Sequence, residues 1–313
     1  MPTLCTAQLA RAPAQSRHGA CAHARVERTN AKRRTHSGCK RAIRAHAAAS
    51  PLPIIILPGL GNNAADYDRL KDALRARSEG GESAVVTVAD VKRYDWLRNA
   101  AGLTDVNYWR GTLCPRPTVD WYLNYIDDAV EQSLLASGAD EVVLLAHSAG
   151  GWLGRVWMHA SHENATRVRK FCSLGSPHRP PPTDGDSLVI DQTRGILTWV
   201  EREMPGAHHD DVEYVTVAGT YLEGLAPSVE KVTSGTSELA QVMAGVGYMQ
   251  VCGKADVPGD GITPVETAHL PGERVKRVTV EGAYHTPLGA DGESRKWYGD
   301  EPHLSAWIDE VLI

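Results

Sequence analysis

The chain has 313 residues, which allows one large domain or two small ones, and it carries 33 Lys/Arg against 38 Asp/Glu. The charge is unevenly divided: residues 1–50 hold ten bases and one acid, Glu27, whereas the remainder holds 23 bases and 37 acids and nets −14. No apolar run in the leader reaches the length of a secretory core or a membrane span, and the cysteines outside it (Cys114, Cys172, Cys252) form no CxxC pair of the kind that holds zinc.

Residues 1–50 are rich in Arg and Ala and have the pattern of an organelle transit peptide, chloroplast first and mitochondrion second. The alternative is a basic tail that binds nucleic acid or anionic lipid. The change to Pro51-Leu52-Pro53-Ile54-Ile55-Ile56-Leu57 after a small-residue stretch predicts processing near residue 50 and a single domain over 51–313. Each of the three remaining cysteines is expected to be a small buried hydrophobe.

Within that domain, short β-branched runs alternate with amphipathic segments, the pattern of an α/β protein with a mostly parallel sheet flanked by helices. Strands are predicted over 53–57, 83–89, 141–146, 169–174, 213–218 and 274–280. Helices are predicted over 64–77, 119–136, 149–160, 193–203 and 302–312. Two insertions, about 178–212 and 221–258, interrupt the alternation and have the size of lids or binding loops.

The run Val142-Val143-Leu144-Leu145-Ala146-His147-Ser148-Ala149-Gly150-Gly151 takes an apolar strand through a tight turn of small residues into a helix. A serine presented there sits on a sharp, strained turn, so the positions two before and two after it must be small; Ala146 and Gly150 are. Ser148 is the predicted nucleophile. Acyl transfer at such a serine needs donors aimed at the developing oxyanion, each worth about 3 kcal/mol. The backbone N–H of Ala149 is one candidate, and the N–H of Leu60 in the Gly-rich turn Pro58-Gly59-Leu60-Gly61 is the other. That turn lacks dinucleotide spacing and is followed by no Gly-Lys-Ser/Thr, so phosphate binding is not expected.

The general base should follow the last core strand, and His285 does so in Ala283-Tyr284-His285-Thr286. The acid that orients it should lie between nucleophile and base, which leaves Asp256 and Asp260. The compact turn Gly259-Asp260-Gly261 favours Asp260. His147, His178 and Trp109 are candidates to line a substrate site, as are the apolar side chains of the insertions, Ile196, Leu197, Trp199, Val200, Leu222 and Leu225.

Leu57-Pro58-Gly59-Leu60-Gly61-Asn62, the Ala146 to Gly151 elbow, Leu174-Gly175-Ser176-Pro177-His178, Gly259-Asp260-Gly261 and Tyr284-His285 together resemble the motifs of lipase-like and GPI inositol-deacylase-like proteins of the α/β-hydrolase superfamily. Arg93-Tyr94-Asp95-Trp96-Leu97-Arg98-Asn99 and Tyr108-Trp109-Arg110-Gly111 look similar to soluble plastid and cyanobacterial members. The resemblance implies the α/β-hydrolase fold, a Ser148–Asp260–His285 triad, and hydrolysis of lipid or other hydrophobic acyl esters without cofactor or metal. It implies no nucleic-acid partner and allows peripheral membrane contact. Acyl transfer by the same triad and a non-catalytic binding module are the rival expectations. N-terminal sequencing of the protein from its source cell should find a start near residue 51; an intact Met1 or Pro2 would overturn the processing expectation.

Overall fold

The computed structural model describes residues 51–182, 189–227, 236–290 and 293–312, without the side chains of 236 and 237. The transit-peptide expectation for residues 1–50 lies outside the described residues. Six parallel strands make the central sheet: β1 (Ile54–Leu57), β2 (Val86–Val88), β3 (Val142–His147), β4 (Val168–Leu174), β5 (Glu213–Thr220) and β6 (Val275–Glu281). Their spatial order is β2-β1-β3-β4-β5-β6. This is the expected mostly parallel α/β sheet. A short antiparallel ladder, Leu222–Glu223 with Pro258–Gly259, stands apart from it.

Each central strand is apolar on both faces, because successive side chains enter opposite layers. Ile55, Leu57, Leu144, Ala146 and Phe171 pack into one layer, and Ile54, Ile56, Val143, Leu145, Cys172 and Leu174 into the other. The first layer is closed by α2 (Asp120–Ser137), α3 (Ala149–Ala160) and α4 (Ile196–Glu203) through Tyr122, Ile126, Val156, Trp157, Leu197 and Val200. The second is closed by Leu70 and Leu74 of α1 (Asp68–Arg77) and by Leu304, Trp307, Ile308 and Val311 near the C-terminus. At about 1.5–3 kcal/mol per buried large apolar side chain, these two layers supply the main drive for folding.

Several boundaries differ from the expectation. The segment predicted as helix over 64–77 opens with a 3-10 turn, Ala64–Tyr67, held by a reciprocal cap between Asn63 and Asp66, before α1 begins. The predicted helix 302–312 is instead two 3-10 turns, Leu304–Ala306 and Ile308–Glu310. Its apolar spacing is helical, but burial of Trp307, whose indole N–H donates to the Tyr298 carbonyl, competes with a regular α-helical turn. The second insertion contains α5 (Thr236–Cys252), which was not predicted because Ala240, Ala244, Gly245 and Gly247 dilute the apolar period. Cys172 and Cys252 are buried free thiols as expected, whereas Cys114 is half-buried and is not one.

Strand order reverses at β1, which has β2 on one side and β3 on the other, and the carboxyl ends of strands at such a switch point form a crevice. Leu57 is paired with Ala146, so the turn after β1 and the turn after β3 emerge side by side. The helix after β3 packs so closely beneath β1 that a Cβ on Gly150 would lie 2.5 Å from the Leu57 carbonyl oxygen. Backbone atoms cannot swing away from that contact. Gly150→Ala should therefore destabilise the fold by about 1–3 kcal/mol, read as a lower urea midpoint; an unchanged midpoint would show that the helix has room to slide.

Candidate active site

Ser148 occupies the single residue between β3 and α3, with φ 51° and ψ −124°, a backbone conformation that side-chain-bearing residues rarely adopt. The strain is sustained by the surrounding packing. The Ser148 N–H donates to the Leu174 carbonyl at 2.9 Å, and the neighbouring glycines leave no space for a relaxed turn. Its hydroxyl oxygen is thereby lifted out of the sheet and lies 3.0 Å from Nε2 of His285.

His285 follows β6 and is buried. Its Nδ1 lies 2.7 Å from Oδ2 of Asp260, and its backbone N–H donates to the carbonyl of the same aspartate at 3.0 Å. Asp260 is inaccessible to solvent yet fully satisfied: Oδ2 also accepts from the Tyr298 hydroxyl at 2.8 Å, and Oδ1 accepts from the Ile262 and Thr263 amides at 3.0 and 2.7 Å. Burial and the adjacent Asp260 charge hold the Tyr298 phenol well above its usual pKa, so it stays a donor. Gly175, at φ 54°, makes room for the carboxylate, since a Cβ there would lie 2.5 Å from Oδ2. Asp256 is exposed and accepts from the Ala226 amide instead.

The N–H groups of Leu60 and Ala149 have no hydrogen-bond acceptor among the described residues. The turn that carries Leu60 is held from four sides. Tyr122 donates to the Pro58 carbonyl at 2.6 Å, Tyr67 accepts from the Gly59 amide at 2.9 Å, Arg93 donates to the Gly61 carbonyl at 2.7 Å, and Trp96 donates to the Asn62 carbonyl at 3.0 Å. None of these four, nor Tyr298, was singled out from sequence as a site residue. Arg93 and Trp96 do stand in the segment that carried the resemblance to plastid and cyanobacterial members.

A cavity of about 270 Å³ opens on Ser148 between Leu60, Trp96, Trp152, Ile196 and Leu197. The three predicted lining residues are not part of it. His147 is buried in the opposite layer, because the residue before a strand-end serine points to the other side of the sheet. His178 is buried with Nε2 on Ser173, 2.9 Å away. Trp109 stands exposed on the surface, its indole N–H donating to Leu103, and its neighbour Tyr108 lines the cavity instead. Of the insertion side chains, Ile196 and Leu197 face the cavity and Val200 is core. A larger groove of about 760 Å³ runs between Asn63 and Tyr94 and does not reach Ser148.

A serine on a strand-turn-helix elbow at the switch point of a parallel sheet defines the α/β-hydrolase fold. Residues 117–249 match the model of the PGAP1-like alpha/beta domain, a stretch that includes Ser148 and ends before Asp260 and His285. The chain is 24% identical over 153 residues to a GPI inositol-deacylase of Kluyveromyces lactis, a match that spans 41% of this chain and 16% of that protein. Among solved structures it is similar to the Bacillus licheniformis lipase BlEst2 (14% identity, 86% of this chain and 95% of that one, TM-score 0.47). The phospholipase PlaB of Legionella pneumophila is similar at 11% identity, over 83% of this chain and 61% of that one, with TM-score 0.45. The chain thus has the α/β-hydrolase fold, with a stretch similar to the PGAP1-like alpha/beta domain. Among the described residues no helix is long and apolar enough to cross a membrane, and no cluster of His, Cys, Asp and Glu could hold a metal ion.

Burial sets the state of the inner histidines. The His147 pKa is lowered from 6.5 to about 3, first by desolvation and then by the adjacent His285, and burial holds His178 well below 6.5. Below pH 6.5 the unfolded chain takes up protons at these positions and the folded chain does not. Their contribution to stability is therefore complete above pH 6.5 and is lost as pH falls below it, for His147 progressively towards about 3. Within that window His147 removes about 1.4 kcal/mol per pH unit. Urea midpoints at pH 7.5, 6 and 5 should decline steadily, and a flat profile over that range would contradict neutral burial.

Proposed function

We propose that the protein is a serine esterase in which Ser148 is the nucleophile, His285 the general base and Asp260 the orienting acid. The observation that carries this reading is the unbroken line from Ser148 Oγ to His285 Nε2 at 3.0 Å and from His285 Nδ1 to Asp260 Oδ2 at 2.7 Å, beside two N–H groups without an acceptor. His285 takes the Ser148 proton as Oγ attacks the ester carbonyl. The carbonyl oxygen gains charge between the Leu60 and Ala149 amides, whose dipoles are already oriented. Collapse of the tetrahedral species breaks the C–O bond, and the departing alcohol receives the proton from His285. Water activated by the same imidazole then releases the acid and restores Ser148. Asp260 holds the ring and stabilises the imidazolium.

The cavity supports a substrate class. Trp96, Trp152, Ile196 and Leu197 favour an apolar acyl chain, and its size suits a chain of moderate length. Arg194, whose guanidinium lies 4.8 Å from the Tyr108 ring centre, is the cation at its rim. A deacylase, a lipase and a phospholipase are among the similar proteins, which supports esters of fatty acids as substrates.

A fluorophosphonate probe should label the wild-type protein and not Ser148→Ala, and p-nitrophenyl ester turnover should fall by roughly 10³-fold or more in the variant while its fold is retained. Asp260→Asn should lose most activity and Asp256→Asn almost none. Equal esterase rates for wild type and Ser148→Ala would refute the assignment, and the opposite order of the two aspartates would relocate the acid.

A further inference from the structure

The chemistry proposed above has no use for His147 or Tyr67, yet both lie at its centre. His147 precedes the nucleophile, is 1% exposed, and packs its ring edgewise against Tyr67 and Trp297, with centroids 5.8 and 5.7 Å away. Its Nε2 lies 2.7 Å from the main-chain carbonyl of His285, and its Nδ1 lies 2.7 Å from the Tyr67 hydroxyl. That hydroxyl accepts from the Gly59 amide at 2.9 Å.

The proton positions along this line are forced. A carbonyl oxygen only accepts, so Nε2 of His147 carries hydrogen. Buried and neutral, the ring then has a lone pair on Nδ1, so Tyr67 must donate to it, and the remaining Tyr67 lone pair takes the Gly59 N–H. One direction of donation runs through all three bonds, from Gly59 to His285. Tyr67 is fully buried, so water cannot replace a missing member. Gly59 lies so close that a Cβ there would be 2.8 Å from Nδ1 of His147 and 2.8 Å from Cβ of Ser148.

We infer that Tyr67 and His147 are positioning residues: a single hydrogen-bonded chain fixes the turn that presents the Leu60 N–H relative to the backbone of His285, so that oxyanion donor and base keep one mutual geometry. The chain joins segments 226 residues apart in sequence, from Gly59 to His285, that share no backbone pairing. A neutral His147 also places no second charge beside His285 when that ring becomes an imidazolium; the two ring centres are 5.1 Å apart. This inference rests on the proposed esterase reading. It predicts a defect in turnover rather than in substrate binding, because the chain touches neither the acyl cavity nor the reacting atoms.

The test compares Tyr67→Phe, His147→Gln and His147→Leu with wild type, using p-nitrophenyl esters and the rate of fluorophosphonate labelling. Tyr67→Phe keeps the ring and deletes the link. It should lower kcat by about 10- to 100-fold with KM changed less than about 2-fold, since small misalignments of reacting groups cost this much. His147→Leu should lower kcat further. His147→Gln, whose amide reaches the position of Nε2 and can still donate to the His285 carbonyl, should recover much of that loss. Adding Tyr67→Phe to His147→Leu should cost less than the product of the two single losses, because both break the same chain and only the Gly59–Tyr67 bond remains to be lost. Folded variants with wild-type kcat, or losses that multiply in the double variant, would overturn the inference.

A second measurement does not need turnover. In Ser148→Ala protein, imidazole ¹⁵N spectra should show His147 as the neutral Nε2–H tautomer, and Tyr67→Phe should move the His285 resonances. A Nδ1–H tautomer, or an unmoved His285, would overturn the chain directly and leave the esterase reading standing. Conversely, labelling of Ser148→Ala at the wild-type rate would sink the esterase reading while the spectra still report on the chain. If His147→Leu does not fold, Tyr67→Phe and His147→Gln carry the comparison.

Discussion

The parallel ladder between β1 and β3 is the constraint on which the candidate site depends. Its register sets Leu57 against Ala146, so the two turns that follow leave the sheet together, one carrying the Leu60 amide and the other Ser148. A slip of one residue would turn every side chain of β1 to the wrong layer. It would also withdraw the Gly59 turn from His147 and Ser148, which it meets at distances only a glycine permits. The register is held by ordinary hydrophobic burial, through Ile54 and Ile56 on one face and Ile55 and Leu57 on the other. Site geometry and core packing are here the same interaction seen from two ends.

Buried polar groups add specificity to that frame. A carboxylate as deeply buried as Asp260 would be costly if unpaired, and it is retained with four donors from His285, Tyr298, Ile262 and Thr263. Two of these are amides of the loop in which the aspartate stands, so the turn shapes itself around its own side chain. The loop and His285 are joined again by the His285 N–H to Asp260 carbonyl bond. Rotation of the imidazole would break the side-chain link, while the main-chain bond keeps the two loops together.

The elbow, the Gly-rich turn, Asp260 and His285 were legible from sequence because each is governed by a local rule: small residues where a strand meets a helix, a turn after a strand, an order of residues along the chain. The six strands were legible for the same reason, with β2 shorter than its apolar run. The aromatic residues that hold the Gly-rich turn and the Asp260 carboxylate were not. Tyr67, Trp96, Tyr122 and Tyr298 act at sequence distances that no periodicity reports, and on composition alone they read as core. His147 and His178 do not line the cavity because the alternation of a strand sends position 147 into the opposite layer and His178 turns inward onto Ser173. Trp109 was misplaced by one residue, since the short helix Val106–Arg110 turns Tyr108 inward and Trp109 out.

The division of labour between scaffold and insertion follows from these contrasts. Everything proposed to move a proton is fixed by the sheet and its nearest turns, whose apolar periods are strong. The cavity that would select a substrate is bounded by Trp96, Tyr108, Arg194, Ile196 and Leu197, from two segments with no sheet partner. The second of these is braced by Asp191, which accepts from Thr193 and Gly195, and by the Leu113 amide donating to the Arg194 carbonyl across the cavity wall. A change within 191–197 alters the cavity without touching the β1–β3 ladder, the Leu60 turn or the buried carboxylate, whereas Arg93 and Trp96 also hold that turn. Under the proposed reading, substrate preference is separable from acyl-transfer geometry at 191–197 and coupled to it at Trp96, and the two resist substitution for different physical reasons: the first by shape, the second by register and paired burial.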